Sequence, residues 1–267
     1  MNLKKYYEII DDKKIARLSA VRAYSAEKKL SLIDAEIDLL SNDIIPYRYL
    51  GNVILLGTQG QINLMRSRVC IAGCGGLGGF VCELLARLGI GSLVLIDHDV
   101  FEEQNLNRQI ISSEKNIGTP KVKCAKERIS YINSAIKTEI HQVKVDSSNA
   151  DSLIKNSSLC IDALDNSESK IILENSCIKQ NIPLVHGAIG NAQFQVSSVA
   201  NNPVLKNIYP KFNQKSSAAS PACTVAMCAA SQVSEAVKII TGMGDVLEDS
   251  QILMGNWLYN SYEVVKI

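Results

Sequence analysis

Residues 68–97 read RVCIAGCGGLGGFVCELLARLGIGSLVLID, and this stretch decides the fold. Arg68 to Ala72 is a short apolar run that suits a buried strand, and a glycine cluster follows it. Phe80 to Leu88 continue as a helix, and Ser92 to Ile96 form a second strand. Gly73, Gly75 and Gly78 have G-x-G-x-x-G spacing between strand and helix, with Gly76 inside the motif. Glycines there permit a tight turn and let a phosphate approach backbone N–H groups at a helix N-terminus. Asp97 ends the second strand, where a carboxylate can accept hydrogen bonds from ribose hydroxyls.

The residues that follow suit phosphate chemistry better than hydride transfer. Asn105, Arg108, Gln109 and Lys121 bring two amides and two cations just beyond the Asp97 strand. A redox enzyme needs a flat slot for nicotinamide or flavin and has little use for so much phosphate-facing charge. Reaction at a phosphate does need it, because charge develops on the non-bridging and leaving oxygens. Asp165 follows the apolar strand Ser158–Ala163 and can hold a magnesium ion between phosphates.

Outward from this core the pattern alternates. Pro120 to Ile132 reads as a helix, Glu139 to Val145 and Ser158 to Ala163 as strands, and Asp165 to Lys179 as a helix. Strands at Pro183–Ala188 and Phe194–Val199 precede a long helix from Thr224 to Ile240, stopped by Gly242. Two short strands, Gln251–Met254 and Tyr262–Ile267, end the chain, and Asn207 to Ser220 is a polar loop. This is an α/β, Rossmann-like fold: a mostly parallel sheet with helices on both faces. Residues 12–42 read as helical, so we expect a small N-terminal helical region over 1–45 and a nucleotide-binding α/β domain over 46–267.

Composition narrows the partners. The 267 residues can bury a large core, and a net charge of +1 argues against a nucleic-acid binder. No apolar run is read as reaching membrane-spanning length, and the N-terminus shows no signal-peptide core, so we expect a cytoplasmic protein with no membrane partner. The cysteines, Cys70, Cys74, Cys82, Cys124, Cys160, Cys177, Cys223 and Cys228, form no C-x-x-C pair, so a structural zinc site has little support. Most are expected to be small core residues. His186 is expected to be a hydrogen-bonded core residue, and His98 has no clear task.

Taken together, Gly73-Cys-Gly-Gly-Leu-Gly78, Asp97-His-Asp99, Asn105-Leu-Asn-Arg-Gln109, Gly118-Thr-Pro-Lys121 and Asp165-Asn166 resemble the ThiF/MoeB/HesA family, relatives of the ubiquitin-activating E1 adenylation domain. The similarity covers roughly residues 46–242. It implies ATP- and magnesium-dependent adenylation of a C-terminal carboxylate, usually that of a ubiquitin-like sulfur carrier ending in Gly-Gly, by a homodimer. A small-molecule or peptide carboxylate is the alternative substrate.

By position, the resemblance gives Asp97 the ribose, with Asp99 beside it. It turns Asn105 and Arg108 to the phosphates, supported by Gln109. Lys121 stabilises the transferred group, and Asp165 takes the magnesium. Cys223, between the polar loop and the last long helix, is the candidate for a covalent acyl step.

Two departures stand out. Arg48-Tyr49-Leu50-Gly51-Asn52 has glycine where the family carries a second arginine that reaches the partner subunit, and Lys170 replaces an arginine. A catalytically weakened nucleotide-binding scaffold is the reading these departures motivate.

Overall fold

A computed structural model describes residues 3–209 and 221–266. The N-terminal part contains β1 (Glu8–Ile10), β2 (Lys13–Ala16), α1 (Leu18–Lys28), α2 (Leu32–Ser41) and β3 (Ile44–Pro46). The main body runs α3 (Leu50–Arg66), β4 (Arg68–Ala72), α4 (Gly76–Leu88), β5 (Ser92–Ile96), α5 (Lys121–Ile132), β6 (Lys137–His141) and α6 (Ala150–Leu153). It continues with β7 (Leu159–Asp162), α7 (Ser167–Lys179), β8 (Leu184–Gly190), β9 (Gln193–Val199), α8 (Leu205–Ile208), α9 (Ala222–Thr241), β10 (Gln251–Asn256) and β11 (Ser261–Lys266).

The large sheet has the order β11-β10-β9-β8-β7-β4-β5-β6. From β6 to β8 the neighbours are parallel, and from β8 to β11 they are antiparallel. Alternate residues of each central strand enter opposite cores. Val69 and Ile71 pack with α4, α5 and α9, while Cys70 and Ala72 pack with α6, α7 and α8. Burial on both faces is why these strands read as unbroken apolar runs.

The chain leaves β4 towards β5 on one side and later returns as β7 on the other. That reversal opens a crevice at the C-terminal end of β4, where ligands bind in open α/β sheets. The glycine turn occupies it. Gly73 has φ +94°, and a Cβ there would stand 2.4 Å from the Ala163 carbonyl oxygen. A Cβ on Gly78 would stand 1.8 Å from the carbonyl oxygen of Gly73. Both glycines are therefore demanded by packing of the turn itself.

Several elements differ from the sequence reading. Lys13–Ala16 is a strand, because Asp11 and Asp12 both take positive φ (46° and 59°) and turn the chain back on β1. Residues 50–66 form a helix that the spacing did not reveal, with a kink at Gly57 (φ 69°, ψ 170°). The strand expected at 139–145 lies earlier, at Lys137–His141. Asn207 and Ile208 of the expected loop belong to α8, and residues 210–220 of that loop lie outside the described residues.

By length and composition α9 can cross a membrane, contrary to expectation. It packs instead against α3, α4, β8 and β9, and its buried face includes Gln232 and Glu235.

The N-terminal part has its own small core of Tyr6, Val21, Tyr24, Ala35 and Leu39. A polar knot ties it to the main body. The Tyr49 hydroxyl donates to buried Glu36 at 3.2 Å and accepts from Asn133 Nδ2 at 2.8 Å, and Arg48 donates to Asn133 Oδ1. Burial is the largest influence on Glu36 and outweighs the nearby Arg48 charge, raising its carboxyl to about 6.

Candidate active site

A cleft of about 690 Å³ opens above the C-terminal ends of β4, β5 and β7, within the range of small-molecule and cofactor sites. Its rear wall is the glycine turn. Helix α4 begins at Gly76 with Gly75 as N-cap and no side chain capping it, so its first N–H groups stay available for an anion.

Asp97 holds the turn as well as facing the cleft. Its Oδ2 accepts the Cys74 N–H at 2.7 Å, and its Oδ1 accepts the Asp99 N–H at 2.8 Å. Asp99 in turn meets Lys121 Nζ at 2.9 Å, and its backbone carbonyl accepts the Lys121 N–H at 3.0 Å. Arg108 donates to the Gln104 carbonyl and to Asn107 Oδ1, both at 2.8 Å, which fixes its guanidinium on the loop. Gln109 is buried beside Gly75, and among the described residues no donor reaches its Oε1. That orphan acceptor suits the hydroxyl or amino donors of a nucleoside.

Asp165 is exposed at the opposite lip, just before α7, with its Oδ1 3.5 Å from Asn166 Nδ2. A second carboxylate grouping lies nearby. Asp97, His98 and Asp99 bring one ligating atom each within 4.8 Å of one another, the one such group among the described residues. Two of its members are already engaged, Asp97 with backbone N–H groups and Asp99 with Lys121.

The cleft thus gathers Gly73, Gly75, Gly76, Asp97, Asp99, Arg108, Gln109, Lys121 and Asp165. Three expected residues do not line it. Asn105 is buried behind the loop, where its Oδ1 accepts the Glu102 N–H at 3.0 Å and shapes the turn that carries Arg108. Gly78 lies behind the turn. Cys223 is exposed in the first turn of α9 and is not among the described residues that line the cleft. Cys228 is buried, and burial raises its thiol to about 12, so it is no nucleophile at neutral pH.

Other wall residues carried no signal in the sequence. Lys144, Gln195, Tyr209 and Met254 line the cleft, and they come from segments with no recognisable motif. Lys170 also lines it, but its charge is committed to Asp162 at 3.0 Å and to the Gly187 carbonyl at 3.3 Å. Gly51 lies on the exposed first turn of α3, where a Cβ would meet nothing within 4 Å.

A doubly covered, mostly parallel sheet whose strand-end crevice combines a glycine turn with Arg108, Lys121 and facing carboxylates is the arrangement expected of an E1-like adenylyltransferase, and the family match bears this out. The profile of the ThiF family matches residues 49–267, and the chain belongs to that family.

Among its relatives, the SAMP-activating enzyme E1 of Haloferax volcanii is 31% identical over 227 residues, covering 82% of this chain and 84% of that protein. The adenylyltransferase and sulfurtransferase MOCS3 of Arabidopsis thaliana is 35% identical over 205 residues, covering 74% of this chain and 44% of the relative. The chain therefore spans less than half the length of that MOCS3. The structure of E. coli MccB with ATP superposes with a TM-score of 0.72 at 21% identity, covering 92% of this chain and 82% of the other.

Proposed function

We propose that the protein uses ATP and magnesium to adenylate the terminal carboxylate of a peptide or small molecule, releasing pyrophosphate. One observation carries this reading. The cleft does not end at the phosphate-facing residues but continues past Asp165 over an uncharged floor of Gly187 to Gly190, Gln193, Gln195 and Met254. A nucleotide at the glycine turn leaves that floor for a second substrate.

In the reaction a carboxylate oxygen attacks the α-phosphorus, and the bond from that phosphorus to the bridging oxygen of pyrophosphate breaks. Arg108 and Lys121 meet the charge that gathers on the phosphate oxygens. Asp97 would hold the ribose, and Asp165 would hold a magnesium ion, whose charge would neutralise the phosphates. The exposed Asp165 carboxylate and the orphan acceptor of Gln109 fit these two ligands.

MccB, whose fold this chain shares, has been crystallised with MccA together with AMPCPP, which is compatible with a second substrate beside the nucleotide here. The Haloferax likeness over most of both chains favours a second reading, in which the acceptor is a ubiquitin-like carrier ending in Gly-Gly. We place the protein in the cytoplasm, where its buried free cysteines would stay reduced, as a homodimer. Exposed Ile54 and Leu55 on α3 give a second copy an apolar surface to cover.

Magnesium-dependent ATP–pyrophosphate exchange tests the reading, run with carrier proteins ending in Gly-Gly and with a panel of free peptides. Exchange with peptides alone supports the first acceptor, and exchange with carriers alone supports the second. Absence of exchange with every acceptor refutes adenylation.

A further inference from the structure

Beneath the cleft floor runs a chain of polar side chains that the adenylation step does not use. Asp162, the last residue of β7, is fully buried. Its Oδ2 lies 3.0 Å from Lys170 Nζ and 2.7 Å from His186 Nδ1, and its Oδ1 accepts the Leu164 N–H at 3.0 Å. His186 is also fully buried, and its Nε2 lies 3.2 Å from the Tyr209 hydroxyl. The two rings meet edge to face, 5.7 Å apart at 87°.

The direction of each bond follows. Burial would raise the Asp162 carboxyl, but Lys170 and His186 prevail and hold it below the ordinary carboxylate range, so it accepts. Burial, reinforced by the Lys170 charge, keeps His186 neutral against the opposing pull of Asp162. The single ring proton therefore sits on Nδ1, facing the carboxylate, and Nε2 must accept from the Tyr209 hydroxyl.

Such a buried charged group is a poor way to hold a sheet together. Apolar side chains of equal volume commonly stabilise as well or better. What the chain achieves, and an apolar plug does not, is to fix the direction of Tyr209. Both ends of the chain, Lys170 and Tyr209, line the cleft, while Asp162 and His186 are sealed beneath it. Tyr209 stands beside Gln195, whose Nε2 is 3.5 Å from its hydroxyl, and Met254 lines the adjoining strand. Among the described residues, Tyr209, Gln195 and Met254 give this wall an aromatic ring, an amide and a thioether, all uncharged.

We propose that Tyr209, aimed by Asp162 and His186, is a positioning residue for the acyl half of the adenylate, an uncharged peptide-like segment next to the activated carboxylate. The proposal rests on the adenylation reading above. It makes the wall of the acceptor side depend on a hydrogen bond formed beneath the floor.

Two probes test it: 5′-O-sulfamoyladenosine, and its N-glycylglycyl derivative, a stable mimic of an acyl adenylate. Calorimetry on the full chain gives the gain in affinity that the glycylglycyl group confers. In Tyr209→Phe that gain should fall roughly three- to tenfold, the effect of one lost neutral hydrogen bond, with affinity for the parent unchanged. His186→Gln should cause a similar loss, and the double variant no further loss, because both changes break one chain.

A purely structural role would lower the melting temperature and leave the gain intact. An unchanged gain in both Tyr209→Phe and Tyr209→Ala overturns the proposal, as does a wild-type protein that binds the parent and gains nothing from the acyl group. If the wild type binds neither probe, the adenylation reading itself fails and the proposal falls with it.

Discussion

Lys121 and Asp99 are bound to each other twice, through an ion pair of 2.9 Å and through the Lys121 N–H on the Asp99 carbonyl at 3.0 Å. The cation assigned to the phosphates therefore begins in a paired state, and an incoming nucleotide must compete with a carboxylate for it. Asp99→Asn should tighten ATP binding, because the competing charge is gone from the cleft. It should also slow exchange at saturating ATP, because Lys121 loses its guide. Titration calorimetry and pyrophosphate exchange separate the two effects. Weaker ATP binding in the variant would mean that Asp99 itself contacts the nucleotide or its metal.

Arg108 has little packing to lose, since its guanidinium rests on a loop carbonyl and on Asn107. Arg108→Ala should keep its circular dichroism spectrum and lower exchange by roughly 10²–10³-fold, as for other preorganised donors at developing oxyanions. Arg108→Lys should recover only part of this, because lysine lacks the planar fork. A folded alanine variant exchanging at the wild-type rate would make Arg108 a surface charge.

For Asp97 the structure adds a stability effect to the expected loss of ATP affinity. Asp97→Ala removes the acceptor of the buried Cys74 N–H, and an orphaned donor of this kind costs about 1–3 kcal/mol. Thermal or urea unfolding without nucleotide should show that loss. An apo protein of undiminished stability would show that the turn does not need the carboxylate.

Glu36 makes stability depend on pH at the junction with the N-terminal part. Burial raises its carboxyl from 4.5 to about 6, so the folded chain holds this proton more tightly than the unfolded chain. Its contribution is fully present below pH 4.5 and is lost as the pH rises through about 6. The stability of wild type relative to Glu36→Gln should fall by about 2 kcal/mol across that window. Parallel pH profiles for the two proteins would contradict the burial argument.

The β4–turn–α4–β5 unit was legible because each feature has a local cause: apolar strands buried on both faces, and glycines forced by close backbone approach. The N-terminal hairpin was not, because its turn is Asp11-Asp12 and lacks the glycine or asparagine that usually announces paired positive φ angles. Asn105 lies in a readable motif, but the direction of its side chain depends on the Glu102 N–H, which spacing does not reveal. The chain from Lys170 to Tyr209 was hidden for a different reason. Asp162 sits in an apolar strand, and its partners come from a helix and a neighbouring strand, so no local period joins them.

The tight approach of Gly73 to Ala163 has a consequence for the order of folding. The nucleotide turn takes its shape against a strand that lies far along the chain, and Ala163 donates its N–H back to the Ala72 carbonyl at 2.8 Å. During synthesis the glycine motif emerges well before the residues that mould it, and closing so distant a contact is slow. For that interval the chain carries the motif without its receptor geometry. ATP cannot template the early steps; it can only stabilise a chain in which β7 has already taken its place beside β4.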